Sequence, residues 1–255
     1  MGVDVIEYRI EGDDLQAVIV TLDPDEAVVA EAGAMMYLED GIEMGTSLSM
    51  KEGAGGIFGK LFQAGKRVLA GESFFVTLFA NEGGQRRDCA FAAPYPGRIV
   101  PMELGEHGGE LRCQKDAFLC AARGVEVDIA FSKKFGAGLF GGEGFILQKL
   151  SSPSGAGQVF CHAGGTVMRR DLGPGERLRV DTGCLVAFEP SVEYSIERIP
   201  GIKNMIFGGE GLFYAALRGP GTVWLQTLPL SRLAGRIATA AVFQNKGESG
   251  AFSFN

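Results

Sequence analysis

An acidic glycine turn followed by a bulky apolar pair is written three times along this chain. It appears as Ala70-Gly71-Glu72-Ser73-Phe74-Phe75, Gly141-Gly142-Glu143-Gly144-Phe145-Ile146 and Gly208-Gly209-Glu210-Gly211-Leu212-Phe213. Its glutamates are spaced by 71 and 67 residues. The upstream context repeats as well. Leu22, Leu104 and Leu172 each precede a Gly/Pro/Asp turn and a glutamate, and eleven residues beyond each leucine begin GAMMYLEDGIEM, KDAFLCAARGVEV and GCLVAFEPSVEY. Each of these stretches holds an apolar strand, a short break and an alternating segment with Glu43, Glu126 or Glu193. The gaps from those glutamates to the next acidic glycine turn are 29, 17 and 17 residues, so the first copy carries about 12 additional residues, around 51–70. A unit of this size, repeated in tandem, buries its apolar face against its neighbours.

Inside each copy, runs such as LQAVIVTL, VEVDIAF, RLRVDT and TVWLQTL are short, β-rich or alternating, and bounded by glycine turns. Turn signals recur every 8–12 residues or so, the spacing of sandwiches and barrels. Glycine contributes 39 of the 255 residues, about twice the usual 7%. With only 10 prolines and no G-X-Y period, that excess belongs to tight turns rather than to collagen or a linker. The expected fold is therefore all-β, with three tandem sandwich-like repeats in a pseudo-threefold arrangement. The expected borders are 1–90 for the first repeat (insertion 51–70 included), 91–158, 159–228, and a C-terminal segment 229–255.

Two segments leave the strand pattern. The insertion reads as a short amphipathic helix from about Ile57 to Leu69, with Lys60, Lys66 and Arg67 beside Phe58, Leu61, Phe62 and Leu69. A lid on its own sheet is the expected role, ahead of a peripheral membrane contact through residues 53–70. SRLAGRIATAAVF reads as a short helix capped by Ser231, and QNKGESGAFSFN as a loose or swapped terminus.

Charge and motifs exclude several function classes. The net charge is −7, and the basic pairs Arg86-Arg87, Lys133-Lys134 and Arg169-Arg170 are scattered among acids, which opposes nucleic-acid binding. The five cysteines form no CxxC pair and are odd in number, so they read as buried apolar residues in a reducing cytoplasm. No signal peptide or apolar run of membrane-spanning length is evident. Gly136-Ala-Gly138-Leu-Phe-Gly141 matches GxGxxG, but GFILQKL follows it as a strand and no ribose-binding acid stands about 20 residues on. Gly59-Lys60 and Gly65-Lys66 lack the remaining phosphate-loop positions. His107 and His162 are the only histidines. His107 lies in a turn, and Cys161-His162 reads as a core cysteine beside a partly buried histidine rather than half of a zinc site. No GxSxG elbow is present.

Under a threefold relation, Glu72, Glu143 and Glu210 would fall at equivalent places, as would Glu43, Glu126 and Glu193. Three carboxylates facing an axis suit a hard cation such as calcium, so the first set are the weak metal candidates. The favoured role is structural, with each carboxylate accepting amide hydrogens of its own turn.

The run IFGGEGLFYAALRGPGTVWLQTLPLSRLAGRI, from Ile206 to Ile237, resembles the signature of a widespread bacterial and archaeal family. The eukaryotic relative of that family is the altered-inheritance-of-mitochondria protein, implicated in mitochondrial biogenesis. AGAMMYLEDGIEM and the GGIFGKLFQAGKRVLAGESFF insertion fit the same pattern. The resemblance implies an all-β fold of repeated units like that of the tryptophan RNA-binding attenuation protein. It implies no known enzymatic activity and no established active site, so no catalytic residue and no cofactor is carried over. RNA binding does not travel with the fold. The expectation is a non-enzymatic cytoplasmic scaffold or interaction protein that forms homo-oligomers. The alternative is a small-ligand or divalent-metal module with a site near the pseudo-axis.

Overall fold

Short apolar runs closed by turns, AVIVTL and QVFCHAG among them, become extended strands along most of the chain. The computed structural model describes residues 2–31, 33–46, 76–133, 145–198 and 213–248. Among these, β1 (Glu7–Glu11) precedes three consecutive sets of six strands. The first set is β2 (Ala17–Leu22), β3 (Ala27–Glu31), β4 (Met35–Leu38), β5 (Ile42–Thr46), β6 (Val76–Asn81) and β7 (Arg87–Ala92). The second is β8 (Gly97–Glu103), β9 (Glu110–Gln114), β10 (Phe118–Ala122), β11 (Glu126–Lys133), β12 (Phe145–Ser151) and β13 (Gln158–Gly164). The third is β14 (Val167–Leu172), β15 (Arg177–Asp181), β16 (Leu185–Phe188), β17 (Glu193–Arg198), β18 (Phe213–Arg218) and β19 (Gly221–Gln226). The chain is thus all-β apart from one described α-helix, α1 (Leu230–Glu248), and short 3-10 turns.

Pairing follows one antiparallel scheme in each set. The first and third strands flank the sixth, and the second and fourth flank the fifth. A register shift recurs at the same step of each third strand, between Met35 and Tyr37, Phe118 and Cys120, and Leu185 and Ala187. The sets part at residues 93–96 and 165–166, so β7 and β13 each stay whole.

Sets are joined by a further pairing. The third strand of one set lies beside the second strand of the set before it, as β10 beside β3 and β16 beside β9. Four sheets result, ordered β1-β2-β7-β4, β5-β6-β3-β10-β13-β8, β11-β12-β9-β16-β19-β14 and β15-β18-β17. Among the described residues, the three largest apolar cores lie between successive sheets. Val20, Phe79, Phe91 and Phe160 sit in the first, Leu111, Leu150, Val159 and Trp224 in the second, and Leu147, Phe188, Leu217 and Val223 in the third.

The turns after β2 and β14 share their chemistry. Glu26 accepts the Asp23 amide at 2.9 Å and Glu176 accepts the Gly173 amide at 2.9 Å. Asp25 (φ 68°) and Gly175 (φ 76°) hold the same left-handed conformation, which a short polar side chain or glycine tolerates.

The C-terminal helix differs from expectation. It starts at Leu230, so Ser231 lies inside the first turn and does not cap it. The Pro229 carbonyl, just before the helix, accepts the Arg232 amide at 3.0 Å and the Leu233 amide at 3.3 Å. The helix continues to Glu248, through residues expected to be loose. The 51–70 insertion lies outside the described residues.

Candidate functional site

The rule that joins the sets leaves one strand of each kind over. Among the described residues β4 is a third strand with no set before it to pair with, and β15 is a second strand with no set after it. Among the described residues β4 pairs only with β7, and β15 only with β18. Burial follows from this difference. β10 (FLCAA) and β16 (LVAF) are buried at every position because each has a strand on both sides. β4 (MMYL) has one side open, and Met35, Met36 and Tyr37 are 41%, 56% and 41% exposed.

Natural sheet edges usually carry charge to discourage pairing, and other edges here do. β1 presents Arg9 against Glu11 at 3.1 Å, and β14 presents Arg169 against Asp171 at 3.3 Å. β4 presents two methionines and a tyrosine. The residues that follow it, Glu39 and Asp40, are acidic.

β15 is the basic counterpart, with Arg177 and Arg179 exposed. Arg179 lies over the Tyr214 ring, 5.2 Å from its centroid, and the Tyr214 hydroxyl donates to Glu197 at 2.6 Å. Asp181 closes the strand, accepting the Gly183 amide and pairing with Arg232 of α1, each at 2.9 Å. The start of α1 is therefore tied to the end of β15, while most side chains over 231–240 face solvent. A depression of about 260 Å3 lies over this sheet, lined by Arg177, Arg179, Glu193, Glu197 and Arg218.

Glu72, Glu143 and Glu210 lie outside the described residues. Glu43, Glu126 and Glu193 sit on β5, β11 and β17, each exposed in a different sheet. Among the described residues no group of three or more His, Cys, Asp or Glu is placed to hold a metal ion. GxGxxG at 136–141 also lies outside them, and the next described element is the strand β12.

His162 is 2% exposed, stands edge-on to Tyr95 at 4.5 Å, and finds no partner for Nδ1 among the described residues. Burial lowers its pKa to about 4, so it is neutral at physiological pH. His107 binds Glu189 through Nδ1 at 2.9 Å and stands edge-on to Trp224, tying the second set to the third. All five cysteines are free thiols; four are buried and Cys184 is half-buried. Burial pushes the Cys89 thiol up to about 12, which removes it from nucleophilic chemistry.

Sequence reasoning found the GAMMYL strand but not its openness. A signal existed in the alignment of copies. FLCAA and LVAF hold small and apolar side chains, whereas MMYL places Met, Met and Tyr at the matching positions.

Comparison with known proteins adds the following. The family model described as mitochondrial biogenesis AIM24 matches residues 8–228. An uncharacterized protein of Streptococcus pyogenes serotype M6 is 29% identical over 219 residues, covering 86% of this chain and 84% of the relative. The crystal structure of protein SPYM3_0169 from Streptococcus pyogenes is similar with a TM-score of 0.72 and 24% identity, covering 92% of this chain and all of that one.

Proposed function

The chain belongs to the mitochondrial biogenesis AIM24 family, and we propose that it is a non-enzymatic interaction protein, a scaffold that works through its open strand edges. One observation carries this reading. Met35, Met36 and Tyr37 are exposed at a position where the same pairing scheme buries its other two occupants. Apolar side chains on an unguarded edge invite strand addition, in which main-chain hydrogen bonds supply affinity and side-chain pockets supply selectivity.

In this reading the sets follow one another head to tail, with β4 and β15 left as open ends rather than closed on each other about the expected pseudo-threefold axis. The protein acts in the cytoplasm; five unpaired thiols favour a reducing compartment. No helix among the described residues is long and apolar enough to cross a membrane.

Tagged protein recovered from its native host tests the proposal. Wild type is expected to bring down associated chains, untagged copies of itself included. Met36→Arg should lose them at least tenfold while keeping its melting temperature, because Met36 is 56% exposed and its replacement leaves the core intact. Equal recovery of every chain by the two proteins would overturn it.

A further inference from the structure

We propose that the strand completing β4 is β15 of a second copy of this chain, added antiparallel in the register that joins the sets internally. The inference rests on the interaction reading above and names its partner. The chain makes the same junction twice, β10 on β3 and β16 on β9. It leaves one unused half of each kind, so one copy's β4 and another copy's β15 supply what the third junction requires.

The register follows from the pairings already made. Each third strand is aligned by its shared shift, which places Tyr37 with Cys120 and Ala187, and Leu38 with Ala121 and Phe188. Each second strand is aligned through its fifth strand and the paired glutamates Glu43, Glu126 and Glu193, which places Val180 with Ala30 and Cys113, and Arg179 with Val29 and Arg112. Internally Cys120 faces Ala30 and Ala187 faces Cys113, while Ala121 faces Val29 and Phe188 faces Arg112. Tyr37 therefore faces Val180 of the second copy, and Leu38 faces its Arg179.

Charge agrees with this alignment. Continuing the register sets the acidic Glu39 and Asp40 alongside the end of β15 that carries Arg177 and Arg179. The junction is head-to-tail, so an open assembly of any size still ends in one free β4 and one free β15. Closed rings form if the rotation per copy closes, and filaments if it does not.

Site-directed cross-linking of the full chain tests the register, with Cys184→Ser as background and oxidised glutathione as oxidant. Tyr37→Cys and Val180→Cys are placed in separate, differently tagged copies, and Leu38→Cys with Arg179→Cys forms a second, independent pair. The expected result is a disulfide between tags in each mixed sample and none in samples of one variant alone. With Tyr37→Cys and Val180→Cys in a single chain, the expected products are multiples of the 27.0 kDa chain mass. A disulfide that closes within one chain, or no product from either pair, overturns the proposal. If Met36→Arg still abolishes association while neither pair cross-links, the interaction reading stands and the β15 assignment falls. If Met36→Arg changes nothing, the interaction reading itself falls.

Discussion

Gly97→Ala is expected to cost about 3 kcal/mol, which lowers the melting temperature by roughly 10 °C for a chain of this size. Gly97 opens β8 where its backbone runs tightly against β13. A methyl group there would overlap the carbonyl oxygen of Ala163 and lie 2.5 Å from His162 Nε2. Neither neighbour has room to retreat. His162 is 2% exposed with Tyr95 against its ring. The glycine itself is pinned, because its amide donates to Asp14 at 2.7 Å and its carbonyl accepts from Gln16 at 3.3 Å. Thermal unfolding measures the loss; an unchanged transition would show that β8 and β13 are not held this closely.

The second large effect is on pH. His162 titrates near pH 4 when folded because burial disfavours its charged form, whereas an unfolded histidine titrates near 6.5. Between these values the unfolded chain binds a proton that the folded chain refuses, so stability falls as pH falls. The loss begins below about pH 6.5, reaches about 3 kcal/mol near pH 4, and adds nothing further below it. Carboxylates contribute their own acid dependence, so the informative quantity is the difference from His162→Leu. Denaturant unfolding of both proteins from pH 7.5 to 4 should show wild type losing about 3 kcal/mol more than the variant. Parallel curves would mean that His162 titrates in the fold as it does in the unfolded chain.

Much of this architecture was legible in the sequence because local chemistry specifies it. Turns such as Leu22-Asp-Pro-Asp-Glu26 and Leu172-Gly-Pro-Gly-Glu176 carry their own hydrogen-bond acceptor, so equivalent strands could be aligned before any pairing was known. The all-β class followed from the alternating runs between them. His162 beside Cys161 was expected to be partly buried and lies fully inside, since both neighbouring positions on β13 are core. The start of α1 was misplaced by two residues because Ser231 is an ordinary cap type, while the helix begins at Leu230, directly after Pro229.

The candidate site was far less legible. Whether Met35 and Met36 face a strand or solvent depends on which strands the topology brings beside β4, a long-range outcome that no window of sequence contains. Only the contrast between MMYL and its counterparts FLCAA and LVAF hinted at it.

Amide hydrogen exchange across a dilution series asks whether β4 is covered in the working protein. The amides of Met36, Tyr37 and Leu38 that point away from β7 are expected to exchange as slowly as those of β10 in concentrated protein. On dilution they should speed up together with the outward amides of β15. Rapid exchange at β4 at every concentration, with β10 protected throughout, would contradict the proposal that this edge is completed by a partner strand.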